Sequence, residues 1–408
     1  MQEWTYMLTT LIYQSKKKKP HSNSITNEFV ENLRIKNQIT EISSVLLHNG
    51  DDFFQIIEGE ESTVDSLYKK ICKDEMHTEV VELMRDYAST RYFTNYGVEF
   101  YDLRQLEVSN NTPDLLVMNL WSRILPNKRV YQFIRAFILK GRSNILSPDF
   151  SNFNWSMTSD ISRNTSVDVD SELKQNYSFA FQAIVEPMQR KIHSFESLIR
   201  GKDGCSPEVF FSSLDYDEIH GFDLRCKSEA LRLAFSLLKE DETVSINLLP
   251  DSLTTVKNSV DILLHYIEKS DLKPQQIIIE VIESELINNI DIFHRTIKDI
   301  RAAGLGFAID DFGSGYSRLG LLARIQPDKL KLDRELIQDI HLYGPKQAMV
   351  ASLIKYSSDM GISLIAEGVE KIDEWRWLQS AGIHYFQGFL FSRPCINGVS
   401  EIFWPHRI

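Results

Sequence analysis

A chain of 408 residues has room for two or three domains, and its 43% hydrophobic and 25% charged residues are those of an ordinary globular protein. The formal net charge of -12 excludes non-specific nucleic-acid binding, which needs a cationic face to displace counterions, so no direct DNA contact is expected. A polyanionic substrate would have to meet local positive charge, such as metal ions.

The first element, "MLTTLIY", reads as a strand with Thr9, Leu11 and Tyr13 on one face. The run Lys16–Lys19 that follows, ending before Pro20, reads as a solvated loop. "NEFVENLRIKNQ" has helical spacing. In "SSVLLHNGDDFFQIIEG" the pair Asn49-Gly50 separates two apolar runs, the signature of a hairpin. "STVDSLYKKICKD" opens on a Ser/Thr cap with an early aspartate and predicts a helix. A second helix is predicted over Asn127–Arg142, with Val130, Phe133, Ile134 and Phe137 on one side. The polar stretch "SNFNWSMTSDISRNTSVDVD" after it reads as a loop or linker.

From about Ser171 short apolar strands alternate with helical stretches: "FAFQAIV", "VSINLL", "QIIIEVI", "GFAID", "KLKL", "SLIAEG" and "YFQGFLF". Strands in that rhythm predict an α/β fold of the (β/α)8 barrel type, whose sites lie at the C-terminal strand ends. Polar residues stand there. Glu196 closes "KIHSFE", Asn247 follows "VSI", Glu280 follows "III", Asp310 follows "FAI", Glu367 follows "LIA" and Gln387 follows "HYF", while Lys331 lies in "DKLKLD". Such an oxygen-rich set selects hard cations, Mg²⁺ or Mn²⁺. Asp310 and Asp311 are adjacent and repel one another, so something must neutralise them: a lysine or arginine, or metal ions. Cys72, Cys205, Cys226 and Cys395 form no C-x-x-C pair, and no apolar run is long enough to span a membrane. With no signal-peptide pattern either, the expected location is the cytoplasm, away from membranes.

At these residues a resemblance becomes specific. Residues 171–405 resemble an EAL domain, the cyclic di-GMP phosphodiesterase family, through Glu196-Ser197-Leu198 with Arg200, "SINLLP", "IEVIES", "DDFGSGYS", "DKLKLD", "AEGVE" and "QGFLFSRP". Ser197, Ile282, Arg318 and Phe389 depart from the usual motif residues, and none of the four is a ligand position. The resemblance implies a modified (β/α)8 barrel with one metal held by Glu196, Asn247, Glu280 and Asp310. Asp310 would bridge to a second metal held with Asp311 and Glu367. It further implies that Lys331 positions or activates the attacking water, that Gln387 orients it, and that Arg200 meets a substrate phosphate. The product would be linear pGpG, and the loop Gly313–Gly315 could gate metal occupancy.

Residues 7–103 resemble a BLUF domain, the blue-light sensors that bind FAD, through Tyr13, Asn37, Gln55 and the later "VELMRDYASTRYF". That resemblance implies a ferredoxin-like α+β sheet. Tyr13 would be electron and proton donor, Gln55 would bond the flavin edge, Asn37 would hold the ring, and Lys36, Asp74 and His77 would lie near the ribityl chain and phosphates. Ser43-Ser44 replaces the family's Thr-Gly, Met76 its arginine, Tyr96 its Trp/Ala position and Val98 its methionine. The six residues before Met7 have no counterpart in the family, which makes Met7 a candidate start.

Residues 104–170 would be a helical connector between the two domains. The pairing implies a homodimer in which blue light regulates cyclic di-GMP hydrolysis. Some stretches, "EWRWLQSAGI" among them, resemble an antirepressor type of the family, in which a silent barrel binds a MerR-like repressor after illumination.

Overall fold

The computed structural model describes residues 8–17, 27–104, 128–139, 154–160 and 177–407, apart from 51, 89, 90, 92, 94, 202, 203, 213, 216, 217, 288, 289 and 315–318. Met7, Lys18, Lys19, Gly315, Arg318, the ends of the helix expected at 127–142 and residues 105–127, 140–153 and 161–170 of the expected connector lie outside that set. The chain divides into two compact units, 1–144 with 358–361, and 145–357 with 362–408.

The first unit orders β1 (Leu8–Lys17), α1 (Asn27–Ile39), β2 (Ser43–Asn49), β3 (Asp52–Glu60), α2 (Glu61–Ile71), β4 (His77–Ala88), β5 (Gly97–Asp102) and α3 (Lys128–Leu139). Its sheet runs β4-β1-β3-β2-β5, a ferredoxin-like antiparallel set with β5 added parallel to β2. Gly50 takes the hairpin turn at φ 71°, a conformation a Cβ would oppose.

Strand alternation sends side chains to two faces. One face packs Leu11, Tyr13 and Ile57 against Val64 of α2, and Leu46, Phe53 and Val98 against Val30 and Leu33 of α1. The other packs Ile12, Val45, Leu47, Phe54 and Ile56 against Val130, Phe133, Ile134 and Phe137 of α3, with Phe137 stacked 4.9 Å from Phe54.

Two local expectations change. Lys16 and Lys17 belong to β1 rather than to a loop, because the strand is paired on both sides, and Lys16 reaches Glu79 at 2.7 Å. The cap of α2 is Glu60, whose carboxylate accepts from the backbone N–H groups of Ser62 and Thr63.

In the second unit eight strands close a barrel: β7 (Tyr177–Glu186), β8 (Lys191–Gly201), β9 (Thr243–Asn247), β10 (Ile277–Ile282), β11 (Gly306–Phe312), β12 (Lys329–Leu332), β13 (Ser363–Ala366) and β14 (Tyr385–Phe386). β8 to β14 are parallel, whereas β7 runs antiparallel to both neighbours, which modifies the ordinary all-parallel barrel. β8 does not end at Glu196: its antiparallel pairing with β7 carries it on to Gly201, so Glu196 sits mid-strand. Within the expected linker, Trp155–Asp160 forms a strand, β6, because it pairs with the distant Ile402–Arg407, called β16 here after the short β15 (Cys395–Ile396). Trp155 also meets the buried Trp375 edge-on at 5.0 Å. Among the described residues no helix is long and apolar enough to cross a membrane.

Candidate functional site

The barrel places its acids at one level. Glu280 on β10 is in register with Asn247 on β9, and Glu196 on β8 with Ser245 on β9. Asn247 Nδ2 donates to Glu196 Oε1 at 2.8 Å. Lys331, only 1% exposed, reaches Glu196 at 3.2 Å, Glu280 at 3.0 Å, Asp310 at 2.9 Å and Glu367 at 2.6 Å.

Adjacent residues of a regular strand point to opposite faces, so Asp310 and Asp311 should not share a site. β11 departs from that regularity. Asp311 has φ 54°, its pairing with β12 shifts register between Ile309 and Phe312, and its N–H returns to Asp310 Oδ1 at 3.0 Å. Aspartate is among the few residues that tolerate this left-handed conformation. The result is two clusters sharing one residue: carboxylate oxygens of Glu196, Glu280 and Asp310 lie within 4.8 Å of one another, and so do those of Asp310, Asp311 and Glu367.

Charge decides what these clusters require. Among the described residues, five carboxylates face one lysine, which leaves four negative charges; two divalent cations would balance them. Protonation responds to the same deficit. Burial, reinforced by Glu196 and Asp310 against the opposing Lys331, pushes Glu280 up to about 7. Burial and then the Asp310 charge raise Asp311 to about 6 and hold Glu367 well above the usual carboxylate range. Glu196 is lowered: burial opposes, but Lys331, Gln387 and Asn247 outweigh it. Burial likewise opposes the Lys331 charge, yet Asp310 and the other acids hold it protonated.

The residues fit divalent cations. Donors are oxygens throughout, and two buried acceptors, Glu280 Oε1 and Gln387 Oε1, have no hydrogen-bond partner among the described residues. The choice between lysine and metal posed by Asp310-Asp311 is therefore not exclusive: one lysine pairs with the acids and leaves most of their charge uncompensated.

Gln387 stands just past β14, its Nε2 donating to Glu196 Oε2 at 2.7 Å and Gln182 Oε1 at 3.0 Å. Arg200 shares the Glu196 face of β8 by spacing, and donates to the Ile199 carbonyl at 2.8 Å. Sequence reasoning missed two participants. Gln182 is a lone amide inside the apolar run "FAFQAIV", and Glu283, the second acid of "IEVIES", accepts from Gly313 N–H at 3.4 Å, two residues past Asp311.

In the first unit Tyr13 and Gln55 are direct cross-strand partners, and the buried Tyr13 hydroxyl donates to Gln55 Oε1 at 2.5 Å. Burial, with Tyr68 and Cys72 adding to it, pushes the Tyr13 phenol far up, so it remains protonated. The Gln55 amide N–H₂ is what that residue then has to offer a ligand. His77 joins this face, its Nδ1 2.8 Å from Ser15 Oγ and its ring 5.1 Å from Phe53. Asn37 is buried at the end of α1, donating to Ser44 Oγ at 2.9 Å and to the Gly97 carbonyl at 3.5 Å. Lys36 and Asp74 are exposed, and Asp74 caps the Met76 N–H at 2.8 Å. Val98 is buried beside Phe53, whereas Tyr96 is exposed beneath the Arg91 guanidinium at 4.6 Å.

Comparisons with known proteins agree with both halves. The family model "EAL domain" matches residues 167–394, and "Sensors of blue-light using FAD" matches 8–99. The blue light- and temperature-regulated antirepressor BluF of Escherichia coli K12 is 36% identical over 98% of this chain and 100% of its own. Klebsiella pneumoniae BlrP1, solved as a manganese and cyclic di-GMP complex, is 41% identical over 98% of this chain and 100% of that one, with a TM-score of 0.61. The cyclic di-GMP phosphodiesterase NbdA of Pseudomonas aeruginosa is 29% identical over 55% of this chain and 29% of its own length.

Proposed function

From a chain that belongs to the BLUF–EAL family, a blue-light sensor using FAD joined to an EAL domain, we propose a light-regulated phosphodiesterase that opens cyclic di-GMP to linear pGpG. The observation that carries this reading is the charge deficit of the barrel mouth: a barrel without metal ions has no use for five clustered acids and one lysine. Glu196, Asn247, Glu280 and Asp310 would hold one Mg²⁺ or Mn²⁺, and Asp310, Asp311 and Glu367 a second. When bound, such ions neutralise phosphate oxygens and lower the pKa of water.

The chain's own residues do the rest. Lys331, held cationic among the acids, stabilises charge that develops on the phosphate and positions the attacking water. Arg200 offers a planar fork to a substrate phosphate, and Gln387 offers an acceptor to a water proton. In the sensor, Tyr13 and Gln55 contact the flavin edge while Asn37, Lys36, Asp74 and His77 flank it. Light would change the Tyr13–Gln55 hydrogen bond and so bias two states of the unit, with a homodimer of barrels as the responding assembly. The test is hydrolysis of cyclic di-GMP by one yellow preparation with Mn²⁺, in darkness and under blue light; no cleavage in either condition refutes the reading.

A second reading has one observation in its favour, the full-length similarity to an antirepressor. In it the barrel is silent and captures a MerR-like repressor under light. A light-dependent complex with such a regulator, formed by a preparation that cuts nothing, would establish it.

A further inference from the structure

We infer that Gln182, on β7, is a positioning residue that fixes which way the Gln387 amide faces and so aims an acceptor into the barrel mouth. Its consequence for catalysis rests on the hydrolase reading; its structural content does not. The assignment starts from two groups that can only accept. The Ser392 backbone carbonyl lies 3.0 Å from the Gln182 amide nitrogen, so that nitrogen, and not the oxygen, must face it. Gln182 Oε1 is thereby turned the other way, to 3.0 Å from the Gln387 amide nitrogen. The second fixed acceptor is the Glu196 carboxylate, 2.7 Å from that same nitrogen and 3.2 Å from Lys331 Nζ. Gln387 Nε2 has two hydrogens, and both are now spoken for.

Rotating the Gln387 amide by half a turn would set its oxygen against two other acceptors and forfeit both bonds. Leaving buried polar groups unpaired is costly, so the observed orientation dominates. Among the described residues it leaves Gln387 Oε1 buried and without a partner. A native barrel that keeps such an atom beside its acids keeps it for a ligand, and a water proton suits a carbonyl oxygen. All three residues are themselves 7% exposed or less, which removes bulk water as the alternative partner.

The full chain tests this with Gln182→Met, which keeps length and apolar packing but loses the acceptor, with Gln387→Ala, and with the double variant. The first readout is hydrogen exchange of the Gln387 side-chain amide in glutamine-¹⁵N-labelled protein, assigned by its disappearance in Gln387→Ala. Both amide protons are expected to be protected in the parent and to lose protection in Gln182→Met. The second readout is hydrolysis. Gln182→Met should lower kcat about 10-fold or more with KM little changed, and should add nothing in the Gln387→Ala background. Unprotected amide protons in the parent, unchanged protection or kcat in Gln182→Met, or additive losses in the double variant would each overturn the inference. A parent that cuts nothing yet shows the protected amide and its loss overturns the hydrolase reading and leaves the positioning role standing.

Discussion

Lys331→Met removes the one positive charge that, among the described residues, pairs with the acids of the barrel mouth. Four carboxylates lie within 2.6–3.2 Å of its nitrogen, and the side chain is 1% exposed, so solvent cannot take over its role. Breaking a buried pair by removing one partner costs about 3–5 kcal/mol. At about 2–4 °C per kcal/mol for a domain this size, the barrel's melting transition should fall by roughly 10 °C in EDTA at pH 8. The pH dependence carries a definite sign. A carboxylate whose folded pKa is raised contributes stability at low pH that is lost as pH climbs through the folded value; for Glu280 that window runs from 4.5 to about 7. Without Lys331 the acids take up protons more readily, so the deficit of the variant should shrink at pH 5. Mn²⁺ should then raise the melting temperature of the variant more than that of the parent. Calorimetry at both pH values, with EDTA or Mn²⁺, reads all three effects. A variant as stable as the parent at pH 8 in EDTA would refute the charge accounting on which the metal assignment stands.

Other substitutions probe single features. Asp311→Asn keeps a residue tolerant of φ 54° but removes a charge, and should weaken Mn²⁺ binding by at least about 10-fold in titration calorimetry. Because the Asp311 pKa is raised to about 6, the same variant should melt higher than the parent in EDTA at pH 8 and show little gain at pH 4. Tyr13→Phe, which deletes the 2.5 Å bond to Gln55, should still bind FAD but lose the light-minus-dark absorption difference. Gly388→Ala would set a Cβ 2.1 Å from the Val369 carbonyl oxygen at φ 154°, next to Gln387. It should destabilise the barrel by at least about 3 kcal/mol in denaturant titration.

Both domains were legible in the sequence because their strands are short, apolar and separated by clear turn or helix signals, as at Asn49-Gly50 and in the runs from "VSINLL" to "SLIAEG". The acids were legible because a charge beside a short apolar run is conspicuous. What escaped depends on partners distant in sequence. Trp155–Asp160 looks like linker until Ile402–Arg407 arrives to pair with it, and β8 outruns Glu196 only because β7 runs antiparallel alongside. Gln182 was hidden for a related reason: one polar letter in a core strand acquires meaning only when Gln387, 205 positions away, is seen to donate to it.

The kink in β11 bears on how such barrels diversify. A straight strand there would send the second aspartate outward, and the barrel would retain one cluster of acids instead of two. One backbone torsion thus decides whether the barrel mouth gathers its acids into a single group or into two groups joined through Asp310.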